Sequence, residues 1–463
     1  MKKIIAEQTL IFISVLKWVF ISTVIGALVG LSVTLFLKLL NYSIETGSSF
    51  PYPLLLIPPA FFLSSLLTKY LAPEAEGHGT EKVIEAIHKK SGKINAIVIP
   101  VKAAATLLTL SAGGSAGKEG PCAQIGAGVA STLSDIFNLA PKDRKKIVIC
   151  GISAGFASVF GTPIAGAIFG VEVLAIGSLL YDVLLPSFIA GITAYEVSSN
   201  LGINYFHNPI ILSPTINEAF FLKILLGGVF FGICSVIFIE SLNLTEKISS
   251  KIKIWKPLKA LIGGIVLSGL AMIFSTKFLG LGLDSIEDSL KGGQMIWYAF
   301  LIKILFTSIT LSFGGSGGII TPIFFVGTAA GSLYAALTGL DPSTVSSIGF
   351  AALLAGCANT PISASIMSVE LFGPSLAPYA TVACVISFLI TGHRSVYPSQ
   401  ILSFRKTGSM NIELGKEIEN TEFNPSHPGF RLFRLKMAII SKTLFSKMGF
   451  YSVKKKKKGK NTV

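Results

Sequence analysis

Charge is what this sequence has least of. Of 463 residues only 14% are Asp, Glu, Lys or Arg, whereas 51% are hydrophobic and the mean hydropathy is +0.69. A soluble protein would carry about a quarter charged residues, so a water-soluble globule is excluded. Cysteine is scarce too. Cys122, Cys150, Cys234, Cys357 and Cys384 stand singly among mostly apolar neighbours, with no C-x-x-C and no Cys/His spacing. Neither a disulfide framework nor a zinc site is supported. The five histidines (His78, His88, His207, His393, His427) form no H-E-x-x-H pattern. An intramembrane enzyme would need such a nucleophile–base pair or metal cluster, so no enzyme activity, metal or organic cofactor is expected.

Long apolar stretches are what the chain has instead. They recur at 9–40, 52–72, 94–112, 147–195, 219–241, 257–274, 296–312, 321–357 and 361–391, and several exceed the ~18–20 residues that cross a bilayer as a helix. The expected class is an all-α polytopic protein embedded in a lipid bilayer, in the cell membrane if the source is prokaryotic. No short apolar segment with a small-residue cleavage site opens the chain. Residues 9–40 are therefore expected to persist as a tilted or overlong helix. The net charge of +15 is unevenly placed, in "PKDRKK" at 141–146 and in a C-terminal segment ending in "KKKKKGK" at 454–460. By the positive-inside rule these belong in the cytoplasm. A lysine run can also bind nucleic acid or anionic lipid, but a topology-setting tail over 403–463 is the simpler expectation. It leaves no room for a sizeable regulatory domain, and no nucleic-acid partner is expected.

The chain also repeats itself. "GGSAGKEGP" (113–121) aligns without gaps to "GGSGGIITP" (314–322), an offset of 201 residues, and "GTPIAGAIFGVEVL" (161–174) aligns to "NTPISASIMSVELF" (359–372), an offset of 198. Two ordered matches at nearly one offset divide the membrane region into homologous halves, 1–205 and 206–402. Paired glycine- and proline-interrupted apolar segments point to a transporter with its site near the midplane. Non-helical backbone at that depth is tolerated only inside protein or beside a watery cavity. Each break also exposes the start of the following helix, with Pro121 and Pro322 suited to its first turn. Helix N-termini aimed at one point make an anion site without a full positive charge. "GGSAGKEG" is not a phosphate-binding loop: Ala112 stands where the first glycine is needed, and Glu119 follows Lys118 where a hydroxyl should bind magnesium.

"GKEGP" (117–121) resembles the G-[KR]-E-G-P signature of the CLC family of chloride channels and chloride/proton antiporters. The likeness extends to "GHGTEKVIEAI" (77–87), "GTPIAGAIFGVE" (161–172), "GGIITPIFFVGTAAG" (317–331) and "GHRSVYPSQIL" (392–402), in family order. It implies two halves of inverted topology with broken helices, and a homodimer with a separate anion pathway in each subunit. It also implies a chloride site built from hydroxyls and backbone N–H groups. Carried over by position, Gly117, Lys118, Gly120 and Pro121 form the signature and Glu119 is the gate. The anion-binding positions are His78, Ile319, Ile320 and Tyr397. A carboxylate in such a place acts as a tethered anion that competes with chloride; its plainer alternative is a salt bridge to Lys118. Glu172 and Glu370, equivalent in the two halves, are expected to play a structural role, hydrogen-bonding helix ends or the dimer region.

Three departures qualify the resemblance. His78 stands in place of the family's serine, with Glu81 at the usual proline. Ile320 replaces a phenylalanine, leaving its backbone donor intact. Val173 occupies the position of the proton-carrying glutamate of the antiporters, and valine binds no proton. The leading expectation is therefore chloride conduction with weak or no proton coupling. The alternatives are chloride/proton antiport, with Glu81 as a candidate substitute, or a branch selective for fluoride or nitrate, motivated by His78. Bound chloride or a similar anion is the expected ligand, with protons as a second substrate in the antiport alternative.

Overall fold

The computed structural model describes residues 2–210, 218–421 and 424–425, and these contain sixteen α-helices. They fall into two series of eight. The first runs α1 Lys2–Ser48, α2 Ile57–Leu71, α3 Thr80–Lys89, α4 Val98–Ser111, α5 Glu119–Ile136, α6 Pro141–Phe160, α7 Pro163–Glu172 and α8 Tyr181–Asn200. The second runs α9 Glu218–Lys251, α10 Lys256–Ile273, α11 Leu283–Leu290, α12 Ala299–Phe313, α13 Ile320–Thr338, α14 Pro342–Ala358, α15 Pro361–Phe372 and α16 Ala377–Thr391. The two glycine-rich repeats are the breaks between α4 and α5 and between α12 and α13. The all-helical expectation holds, with strand pairing confined to two-residue pieces. β1 Ala175–Ile176 runs parallel to β2 Ile401–Leu402, and β3 Met410–Asn411 lies antiparallel to β4 Asn424–Pro425.

Helix length decides where the ends fall. The 47 residues of α1 amount to ~70 Å, more than twice a hydrocarbon core of ~30 Å, so this helix runs well beyond the membrane or tilts strongly. At the other extreme, α7 has 10 residues and α15 has 12, which is only ~15–18 Å. Such helices end inside protein at membrane depth, where their free N–H groups need partners. The Glu172 carboxylate, at the last turn of α7, accepts from Ile362 N at 3.0 Å and Ser363 N at 2.8 Å, at the start of α15. Glu370, at the last turn of α15, accepts from Ile164 N at 3.0 Å and Ala165 N at 2.8 Å, at the start of α7. The antiparallel pair thus caps itself reciprocally, as expected for these two glutamates. A carboxylate at its own helix's C-terminal end is ordinarily unfavourable, and the partner's positive N-terminal end offsets that. The threonines at the two N-caps are displaced from the capping role, so Thr162 Oγ1 and Thr360 Oγ1 are buried without hydrogen-bond partners.

Small residues let the long helices approach. A Cβ on Gly126 of α5 would overlap the Gly151 carbonyl of α6, and one on Gly327 of α13 would overlap the Gly349 carbonyl of α14. The same close crossing is thus made in each half. Beyond α16, residues 403–421 fold back on the helices. Lys406 Nζ donates to Asn359 Oδ1 and to the Phe388 carbonyl, both at 2.6 Å. The lysine-rich part of the expected tail, 426–463, lies outside the described residues.

Removing either capping carboxylate leaves two N–H groups to find other partners. Glu172→Ala and Glu370→Ala are each expected to destabilise the protein by about 2 kcal/mol, with the Gln variants milder because one acceptor remains. Melting of the purified protein in detergent checks this. Unshifted midpoints in both alanine variants would show that the helix ends are satisfied in another way.

Candidate anion site

The two breaks are tied to each other across the repeat. Gly117 N donates to Gly318 O at 2.7 Å and Gly318 N to Gly117 O at 2.5 Å. Each serine amide in a break is held by a threonine hydroxyl of the other half. Ser115 N donates to Thr310 Oγ1 at 3.1 Å, and Ser316 N donates to Thr109 Oγ1 at 2.9 Å. These crossed bonds satisfy backbone groups that lipid could not. They bring the first turns of α5 and α13 together, and glycine makes the approach possible. A Cβ on Gly120 would overlap the His78 carbonyl and crowd the Cα of Gly318 at 3.1 Å. The start of α3 is therefore drawn into the same knot.

Glu119 opens α5 and is only 1% exposed. Its carboxylate does not pair with Lys118; no ion pair to Glu119 is formed among the described residues. It lies across the first turn of α13 instead, where Oε2 accepts from Thr321 N at 3.1 Å and Oε1 accepts from the Thr321 hydroxyl. A negative group at a helix N-terminus is electrostatically favoured. Ile319 is the N-cap of α13 and Ile320 its first residue, and both are buried. Their amides lie in a turn that has no i−4 carbonyls to donate to.

On the other flank, Tyr397 is fully buried and its ring centroid lies 5.6 Å from that of His78. Four buried polar atoms here have no hydrogen-bond partner among the described residues: His78 Nδ1, Thr80 Oγ1, Glu81 Oε2 and Tyr397 Oη. They come from the few residues around the start of α3 and from one loop residue. Leaving a buried polar group unpaired costs about 1–3 kcal/mol, so such a concentration marks a place built to meet a ligand. The site residues expected from the sequence thus lie on converging elements: Glu119 on α5, Ile319 and Ile320 on α13, His78 ahead of α3, and Tyr397 in the loop after α16.

Two buried cations stand behind these helix ends. Lys102 Nζ of α4 donates to Ala75 O at 3.2 Å and Gly77 O at 2.5 Å. Lys303 Nζ of α12 donates to Phe278 O at 3.1 Å and Gly280 O at 2.8 Å. Both lysines are 0% exposed, and neither has a carboxylate within ion-pair distance. The Gly77 carbonyl held by Lys102 immediately precedes His78, which places a positive group one residue from the site.

The family model "Voltage gated chloride channel" matches residues 60–392. The chain belongs to that family. It is 32% identical over 407 residues to the "Chloride/fluoride channel protein" of Pseudomonas syringae pv. tomato, covering 86% of this chain and 90% of that protein. It is 29% identical to an uncharacterised protein of Methanocaldococcus jannaschii, over 83% of this chain and 96% of that one. Among solved structures, a CLC-type fluoride/proton antiporter superposes with a TM-score of 0.80 at 30% identity, covering 84% of this chain and 98% of that one. A slow cyanobacterial chloride/proton antiporter shares the fold, with a TM-score of 0.71 at 18% identity. The protein is a multi-pass membrane protein that transports anions in the CLC manner.

Four residues at this candidate site stand outside the site residues read from the sequence. Thr321 and Thr80 were hidden because a single threonine carries no motif. Lys102 and Lys303 carried a signal that went unread: the repeat of offset 201 extends upstream of the glycines, through "VKAAATLLTL" (101–110) and "IKILFTSITL" (302–311).

Thr321→Val removes one donor from the Glu119 carboxylate and keeps the amide. The tethered anion is then held less firmly by about 1 kcal/mol, and the apparent affinity for a competing free anion is expected to rise about fivefold by titration calorimetry. A fall in affinity would assign the hydroxyl to the free anion instead. His78→Ser restores the family's usual hydroxyl and is expected to change the relative rates of chloride, fluoride and nitrate flux. Identical selectivity would remove His78 from the anion path.

Proposed function

We propose that this protein exchanges a small halide, with fluoride favoured over chloride, for protons, and that Glu119 is the gate. The observation that carries the reading is the near-complete likeness to a CLC-type fluoride/proton antiporter, which spans 98% of that chain. The Pseudomonas syringae relative, described as a chloride/fluoride channel protein, points to the same pair of anions. These comparisons favour exchange over the conduction expected from Val173. A valine at that position removes one proton carrier, but it does not prevent protons from travelling through other groups.

The chemistry of the site supports the anion class. Fluoride is small and strongly hydrated, so a site that binds it needs several strong donors to replace its water. The hydroxyls of Thr80 and Tyr397, an imidazole N–H from His78 and the amides of the α13 first turn could supply them. In this reading the ionised Glu119 carboxylate occupies the anion site at α13. Once protonated it releases that site, and the anion enters as the carboxyl leaves. The cycle couples one carrier to both ions because a single carboxyl cannot hold the site and the proton's charge together. Assembly as a homodimer, with one pathway per subunit, belongs to the same reading.

Liposomes holding the purified protein decide the matter. With an outward fluoride gradient and no other ion gradient, protons should be driven uphill into the vesicles, as reported by a pH-sensitive dye. Glu119→Gln should abolish that movement and flatten the pH dependence of any anion flux that remains. Anion flux from the parent protein with no proton movement would return the protein to the channel class. A chloride gradient that drives protons as well as a fluoride gradient would set the anion preference aside and leave the exchange intact.

A further inference from the structure

We propose that Glu81 is the inner proton carrier of this exchanger, in place of the carboxylate that Val173 lacks; the inference rests on the proton-coupled reading above. Glu81 lies in the first turn of α3, and its carboxylate crosses to the loop that carries Tyr397. Glu81 Oε1 accepts from Ser399 N at 3.0 Å and from the Ser399 hydroxyl. Ser399 lies two residues beyond Tyr397, so one loop presents the tyrosine and holds the carboxylate. The second oxygen, Oε2, is shut off from solvent and has no partner. One carboxylate oxygen is thus fixed while the other remains free to take a proton.

Position gives this carboxyl something to relay. The Tyr397 hydroxyl is within electrostatic range of both Glu81 and Glu119, and the Thr80 hydroxyl lies next to it outside hydrogen-bond geometry. Tyr397 therefore neighbours both the gate and the candidate carrier. Solvent comes within one helical turn of Glu81: Glu85, four positions on and on the same face of α3, lines a cavity of about 220 Å³ with Lys82, Glu74, Lys90 and Gln124. The charged groups facing Glu81 are Lys82 and Glu85 on its own helix, with Tyr397 the titratable group of the loop packed against it. The partly buried Lys82 and Glu85 pair with each other at 2.9 Å, which leaves the Glu81 carboxyl without an ion-pair partner.

The repeat supplies an internal control. Matched on the carbonyls that Lys102 and Lys303 hold, Gly77 and Gly280, the second half places Leu281, Leu283 and Asp284 where the first has His78, Thr80 and Glu81. The first two are apolar, and Asp284 is exposed rather than engaged by a loop. The polar constellation belongs to one half only, so it is not a requirement of the fold.

In the proposed step, hydronium of the cavity gives a proton to bound water beside Glu85, and the proton passes one helical turn inward to Glu81 Oε2. The proton passes along bound water beside Tyr397 to the Glu119 carboxylate, and the proton-depleted Glu81 is recharged from the cavity. At each transfer one O–H bond breaks and one forms; nothing is oxidised, and the anion moves in the opposite sense. The test measures protons moved per fluoride ion in proteoliposomes, using a pH-sensitive dye and a fluoride electrode together. Glu81→Gln should lower that ratio at least tenfold, and Glu81→Asp, which keeps a carboxyl, should restore at least a third of it. If Glu81→Gln fails to reconstitute, Glu81→Met, uncharged and of similar length, takes its place with the same expectation. A parental ratio in the uncharged variant overturns the inference, and so does an Asp variant as uncoupled as the Gln variant. A parent protein that moves no protons is a separate result, because it overturns the exchange reading itself.

Discussion

A carboxylate at membrane depth needs hydrogen-bond donors close at hand, and the meeting of helix ends around Glu119 provides them. Moving an ion of that size out of water carries an effective penalty of several kcal/mol even after relaxation. The Thr321 amide and hydroxyl offset it at one spot only, the first turn of α13. That contact requires α5 and α13 to begin within a few ångströms of each other. The requirement in turn accounts for the glycines of both breaks, the mutual Gly117–Gly318 bonds and the threonines that hold the serine amides from the opposite half. Remove the need to hold an anion there, and most of the irregular backbone in the protein loses its reason.

The internal duplication separates scaffold from function. What both halves possess is mechanical: Lys102 and Lys303 each bind two carbonyls ahead of a short helix, and Glu172 and Glu370 each cap the other half's helix. What only one half possesses is chemical. Glu119 corresponds to Ile320, and His78, Thr80 and Glu81 have apolar or exposed counterparts. Symmetry satisfies backbone at membrane depth twice over with one solution, and the ligand is met where the symmetry fails.

That division also explains what could be read from the sequence. The breaks, the repeat, Glu119 and the capping role of Glu172 and Glu370 were legible because each leaves a local pattern: glycines, a fixed offset, a charge in an apolar run. Thr321, Thr80 and the Glu81–Ser399 contact were not. Glu81 and Ser399 are 318 positions apart, and no period or spacing links residues that meet only because helix starts converge. The short α7 and α15 were likewise blurred into continuous apolar runs, since hydropathy does not show where a buried helix stops. The order of the family's motifs compensated for this at the level of fold and left the partners of each side chain to the packing.

Val173 speaks to the proton route from one position only. Its argument was sound in itself: a fully buried valine carries no proton. It assumed, however, that the proton route is fixed by the fold. A proton needs only successive groups within reach, and reach is decided by side chains rather than by helices. In this chain the start of α3 differs from the family pattern at two neighbouring places, His78 for serine and Glu81 for proline. The second change brings a carboxyl to the same loop that carries Tyr397. Under the proposed exchange, the carboxyl missing at Val173 and the carboxyl present at Glu81 belong to one rerouted path.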